Sequence, residues 1–115
     1  MNDKIDILEH NGPGYATVMK FESWRVAVLN YAKEFDPETP LKLERHMETD
    51  EIFVLLDGQA TLIIGEDKKR YVMEKNKVYN VRAGTWHQIH TDAEGKVLIG
   101  ENVDTGLANS EYMKG

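Results

Sequence analysis

Residues 52–56, Ile-Phe-Val-Leu-Leu, form an unbroken apolar run between Glu51 and the turn pair Asp57-Gly58. A run this short, bounded this way, reads as a buried strand. Just upstream lie Glu44 and His46, two positions apart, so on an extended chain both side chains leave the same face. Glu51 opens the apolar run and shares its face with Phe53 and Leu55. Carboxylates and an imidazole at the mouth of a buried strand are costly unless something pairs with them, and a divalent cation is one such partner. A further histidine, His87, follows Ala83-Gly84 much later in the chain. The constraint is therefore a fold that returns residue 87 to the neighbourhood of residues 44–51.

The rest of the chain offers many short extended segments separated by turns. After a polar lead-in over residues 1–14, with Ile5, Ile7 and Leu8 as candidate anchors, residues 15–19 and 24–31 are rich in Val, Tyr and Trp. That enrichment favours strands. A helix competes over 24–34, where Ala27, Leu29 and Ala32 tolerate it, and residue type decides for the strand. Pro37 and Pro40 mark a loop. Gly58 turns the central strand, and residues 59–64 are expected to return as its antiparallel neighbour. Further strands are expected at 70–73, 78–81, 86–91 and 96–100, each bounded by polar or glycine-containing turns. Together these predict an all-β domain, a sandwich or barrel, with a core over 15–103 and a tail over 104–115. One domain accounts for all 115 residues.

Imidazole and carboxylate donors in the set Glu44, His46, Glu51 and His87 suit Fe, Mn, Ni, Co or Zn. Two carboxylates would balance a doubly charged ion. Four protein ligands leave an open position only on a five- or six-coordinate metal, which disfavours tetrahedral zinc. On an antiparallel sheet Glu44 and His46 would lie beside Glu51, but His87 reaches them only if the sheet curls on itself, as a small barrel does. Taken alone, His46 reads as a structural hydrogen-bond partner of Glu44 or Glu51 rather than as a ligand. Glu44 has a second reading as an ion-pair partner of Arg45, Arg82 or Lys42. His90, three positions beyond His87, faces the other way on a regular strand and reads as exposed or interfacial.

Residues 44–58 and 76–91 resemble the two motifs of the cupin superfamily, G-x5-H-x-H-x3-4-E-x6-G and G-x5-P-x-G-x2-H-x3-N. His46, Glu51 and Gly58 match the second histidine, the glutamate and the closing glycine of the first, and Gly84 and His87 match the second. Departures stand at Glu38 for the opening glycine, Glu44 for the first histidine, Asn76 for glycine, Arg82 for proline and Thr91 for asparagine. The resemblance implies a small antiparallel jelly-roll β-barrel with a metal ion inside, held by Glu44, His46, Glu51 and His87. It also implies a homodimer. The implied activities are of isomerase, lyase, decarboxylase or dioxygenase type on a small polar metabolite, with Tyr79, His90 or a released Glu44 as candidates to move a proton. The alternative is a non-catalytic module that binds a sugar or a carboxylate. A third, an empty scaffold like some seed-storage cupins, leaves the polar cluster unexplained.

Composition narrows the partners. The net charge of −6 argues against nucleic acid and against an anionic membrane surface. With no cysteine, disulfides, thiolate metal sites and cysteine nucleophiles are excluded, and a reducing, cytoplasmic setting is expected. Residues 52, 54 and 56 are apolar as well as 53 and 55, so the outer face of that strand needs a cover: a second sheet, a terminal strand or another subunit.

Overall fold

The computed structural model describes residues 4–103 and, by its backbone, the strand at 110–114. Two five-stranded antiparallel sheets face each other. The strands are β1 (Gly14–Phe21), β2 (Trp24–Asn30), β3 (Lys42–His46), β4 (Glu51–Asp57), β5 (Ala60–Ile64), β6 (Lys69–Val72), β7 (Tyr79–Val81), β8 (His87–Thr91), β9 (Lys96–Asn102) and β10 (Ser110–Lys114). One sheet runs β1-β2-β9-β4-β7 and the other β10-β3-β8-β5-β6. The expected jelly roll is present, with its two sheets not closed by hydrogen bonds into one barrel. Residues 24–30 are strand, as their β-branched and aromatic content favours, and a single 3-10 turn at Lys33–Phe35 follows. The expected tail contributes β10, paired with β3 from Ser110↔His46 to Lys114↔Lys42, while residues 104–109 lie outside those described.

One pairing differs from expectation. Residues 59–64 do not return beside β4: β4 pairs with β9 and β7, whereas β5 pairs with β8 and β6 in the opposite sheet. The turn at Gly58 carries the chain from one sheet to the other. Gly58 has φ 64°, and a Cβ there would lie 2.5 Å from the backbone of Glu94. The crossing is possible because no side chain stands between the two turns.

The core lies between the sheets and is laid out in rows. In the first sheet Leu29, Val97 and Leu55 form one cross-strand row, and Ala27, Ile99 and Phe53 the next. All six are at most 5% exposed, so each large side chain contributes roughly 1.5–3 kcal/mol of burial. From the second sheet Leu62 and Ile89, paired with each other, close against them. The next row of the first sheet is Arg25, Glu101 and Glu51, so the alternation that builds the core ends in charged residues at one end of the sandwich.

The lead-in residues Ile5 and Ile7 are exposed, so they do not act as anchors. Polar contacts hold this segment instead: Asn30 Nδ2 donates to the carbonyls of His10 and Gly12, each at 2.8 Å, and Lys96 Nζ donates to that of His10 at 2.9 Å. Segment 4–11 runs along the outer face of the first sheet, beside Val28, Leu56 and Leu98, with an opening of about 730 Å³ beneath it.

Gly58→Ala is expected to destabilise the fold by about 2 kcal/mol, because alanine meets both a left-handed backbone and the Glu94 main chain. Urea denaturation should show a lower midpoint at unchanged slope. An unchanged midpoint would mean that the two turns can part freely.

Candidate metal centre

Each polar residue reaches the open end of the sandwich by strand parity. On β3, Glu44 and His46 face the cavity with Lys42, while Leu43 takes the opposite face, where it is fully buried. On β4, Glu51 takes the same face as Phe53 and Leu55, all three buried. On β8, His87 lies directly across from Glu44, the one Cα pair that joins β3 to β8. Glu44, His46 and His87 thus come from one sheet and Glu51 from the other. Glu51 does not adjoin β3 along a ladder, as an antiparallel neighbour would. It faces His46 and His87 across the gap between the sheets.

The four donors converge. Oε1 of Glu51 is 3.0 Å from Nε2 of His87 and 3.4 Å from Nε2 of His46. Oε1 of Glu44 is 3.8 Å from Nε2 of His46 and 3.9 Å from Nε2 of His87. Donors bound about 2.1 Å from a common ion stand about 3 Å apart when adjacent, so these spacings fit a ligand set. The imidazole rings of His46 and His87 lie 5.3 Å apart, centre to centre.

The protonation of His87 sharpens the point. Its Nδ1 is 3.0 Å from the Thr85 carbonyl, which can only accept, so Nδ1 carries a hydrogen. In neutral His87 the lone pair of Nε2 then faces a carboxylate oxygen. Oε1 of Glu51 is buried and satisfies no hydrogen-bond geometry. A buried lone pair opposite a buried carboxylate repels unless a proton or a cation stands between them. With a proton in that place, burial would raise the Glu51 carboxyl, but the imidazoles of His46 and His87 outweigh it and draw it down to about 2. Burial lowers His87, and the Glu51 carboxylate outweighs it, helped by the Thr85 carbonyl and Glu44, so His87 rises above its ordinary 6.5.

Beside this set stands a residue that the sequence reading passed over. Glu101 lies directly across from Glu51 in the β4–β9 ladder and is buried. His46, Glu51 and Glu101 form a second group of donors close enough to hold an ion. The Glu101 side chain accepts a hydrogen bond from the Tyr15 hydroxyl and lies 3.4 Å from the Arg25 guanidinium. Burial, then the Glu51 charge, push Glu101 up to about 7 against the pull of Tyr15 and Arg25. The alternation Val97, Ile99, Glu101 was the signal that could have found it.

A cavity of about 580 Å³ opens onto the cluster. Leu29, Phe53, Ile89 and Ile99 form its apolar wall, and Glu34, Phe35, Thr39 and Pro40 of the loop after β2 cover one side. Tyr15 and Glu101 line it, and of the candidate proton carriers Glu44 does, whereas Tyr79 and His90 do not. The Tyr79 hydroxyl instead accepts from the Glu74 amide at 2.9 Å. His90 does face away from the core, but it is buried rather than exposed, with neither ring nitrogen hydrogen-bonded. Arg45 stacks over the Trp86 ring at 4.4 Å.

A family model described as "Cupin domain" matches residues 33–99. Among solved structures, a variant of Streptomyces PAC13 with uridine superposes with a TM-score of 0.67 at 8% identity, covering 93% of this chain and 84% of that one. PAC13 is described as a nucleoside dehydratase. KdgF from Halomonas gives 0.60 at 12% identity, covering 89% and 91%. The Fe(II) form of HppE gives 0.59 at 13% identity, covering 77% of this chain and 50% of that one. At such identities the likeness is one of fold. No curated protein matches the sequence.

The metal-free Glu51–His87 pair makes stability depend on pH. The Glu51 contribution is present above its ordinary 4.5 and is lost as pH falls toward about 2. The His87 contribution is complete below 6.5 and is lost as pH rises through the raised value. Glu101, raised to about 7, adds stability that is complete below 4.5 and is lost as pH rises through about 7. Chelator-treated protein should therefore be most stable near pH 4.5 and lose stability as pH rises through neutrality. Glu51→Gln should flatten the profile. Urea melts from pH 4 to 9 on both proteins check this, and equal profiles would refute it.

Proposed function

Because the chain belongs to the cupin family, we propose that it is a metal-dependent enzyme acting on a small polar metabolite, with Glu44, His46, Glu51 and His87 as ligands. The facing of His87 Nε2 and Glu51 Oε1 at 3.0 Å, with Nδ1 already committed to Thr85, carries this reading. A divalent ion at this place would supply Lewis-acid polarisation of a substrate oxygen. Glu44 and Glu51 match its charge, and the mixed nitrogen and oxygen donors fit Fe, Mn, Ni, Co or Zn.

The remaining residues divide the work. A cavity of about 580 Å³ holds a metabolite of modest size. Phe53 and Ile99 make its inner wall apolar, and Phe35 covers one side. The Tyr15 hydroxyl and the Glu101 carboxyl, joined by a hydrogen bond, are placed to give a proton to a bound substrate or take one from it. This pair favours an enzyme over a passive binding module, because a module has no need of a buried carboxyl with a hydroxyl donor on its cavity wall. The family's relatives of like fold include enzymes, PAC13 among them.

The chain would work as a homodimer in the cytoplasm. Val54 on the outer face of β4 is only half-buried, and Phe21, Trp24 and Leu56 nearby are exposed, which leaves an apolar surface for a second copy. Among the described residues no helix is long and apolar enough to cross a membrane.

Two measurements test this. Titration of chelator-stripped protein with Mn²⁺, Fe²⁺, Co²⁺, Ni²⁺ and Zn²⁺ should find at least one ion bound one to one, and Glu51→Gln or His87→Ala should weaken it about 100-fold or more. Failure of all five to bind the native chain would sink the metal reading. Sedimentation velocity at micromolar concentration should give the dimer mass, and a monomer would refute the dimer alone.

A further inference from the structure

The four proposed ligands flank two crossings between the sheets. Residues 47–50 carry the chain from β3, with Glu44 and His46, to β4, which begins at Glu51. Residues 82–86 carry it from β7, in the same sheet as Glu51, to β8, which begins at His87. The separation of Glu51 from His87 therefore depends on how these two crossings lie against each other.

The regular ladders give out where this matters. The β4–β7 ladder runs through Ile52↔Asn80 and stops at Glu51↔Val81. The β3–β8 ladder consists of the single pair Glu44↔His87. Side-chain bonds from Asp50 take over at that point. Its Oδ1 accepts from the Ala83 amide at 2.8 Å, and its Oδ2 accepts from Asn80 Nδ2 at 3.1 Å. One residue further, the Gly84 amide donates to the His46 carbonyl at 2.7 Å. The next residue, Thr85, supplies the carbonyl that holds the His87 ring.

We propose that Asp50 is a positioning residue for the ion site: by clamping residues 80–83 to the crossing that precedes Glu51, it sets the distance between Glu51 and His87. This rests on the metal reading above. The hydrogen bonds of the Asp50 carboxyl go to Asn80 and Ala83, neither of them a proposed ligand. Asp50 acts through the loop that ends in Thr85. Outer residues that orient ligands are worth about 10-fold to 100-fold in metal affinity.

The test uses Co²⁺, whose visible absorption reports ligand geometry, on the full chain. Asp50→Ala removes both acceptors. Asp50→Asn keeps an acceptor for the Ala83 amide and, with the Asn80 amide turned over, a bond to Asn80, while it removes the charge. Asp50→Ala should lose about tenfold in Co²⁺ affinity with shifted visible bands, and Asp50→Asn should keep near-native values of both. Asp50 is exposed, so folding of the variants is expected, and circular dichroism verifies it. Native affinity and spectrum in Asp50→Ala would overturn the clamp, provided that Glu51→Gln does lose the ion. A loss in Asp50→Asn as deep as in Asp50→Ala would assign the effect to charge and overturn it too. A native chain that takes up no Co²⁺ would remove the ion site, and the clamp's role with it.

Discussion

Two atoms that repel each other in their ordinary states are held 3.0 Å apart inside this protein: the Nε2 lone pair of His87 and a carboxylate oxygen of Glu51. They come from opposite sheets, so their approach is a property of the whole sandwich. The apolar rows behind them press the sheets together, with Phe53 and Ile99 on one side and Leu62 and Ile89 on the other. Burial of that core draws the charged end together, and a positive charge between the two donors lowers the cost of their approach. A proton serves in the metal-free chain, and a divalent ion would serve better because Glu44 and His46 face the same point.

The charged row of the first sheet shows how the cost is distributed. Arg25, Glu101 and Glu51 follow one another across β2, β9 and β4. Like charges directly opposite in a ladder destabilise it. Arg25 and Tyr15 take up one side of Glu101, and His46 and His87 take up Glu51. A buried row of this kind adds little stability over an apolar one. Its value is chemical, since it places donors, acceptors and a tyrosine–carboxyl hydrogen bond around one cavity.

Local chemistry was legible in the sequence, and long-range placement was legible only in part. Parity along β3 and β4 put Glu44, His46 and Glu51 on inward faces, and strand content at 24–30 prevailed over the rival helix. The Gly58 turn was also legible, but not its destination. A glycine turn between two apolar strands fits a hairpin and a crossing equally, and the close approach of Glu94 that distinguishes them involves residues far along the chain. His90 failed for a related reason. Parity correctly turned it from the core, but the 3-10 turn at Lys33–Phe35 packs against β8, and sequence separation hides such a neighbour. Glu101 was readable from its alternation with Val97 and Ile99, yet a lone carboxylate at a strand end carries no motif.

Glu44 is the position where the chain leaves the usual histidine, and its surroundings give that change a physical sense. Its side chain is 34% exposed, against 7% for Glu51 and 5% for His87. It therefore stands on the open side of the cluster, toward the cavity. A carboxylate there adds a negative charge where solvent lowers the cost of carrying it. With Glu51 it brings the charge of the donor set to −2, equal and opposite to that of a divalent ion, so an occupied site is neutral without help from a substrate. A three-histidine site with one glutamate would keep a net positive charge and would draw anions more strongly. The replacement at position 44 thus bears on what the cavity attracts as much as on what the cluster holds.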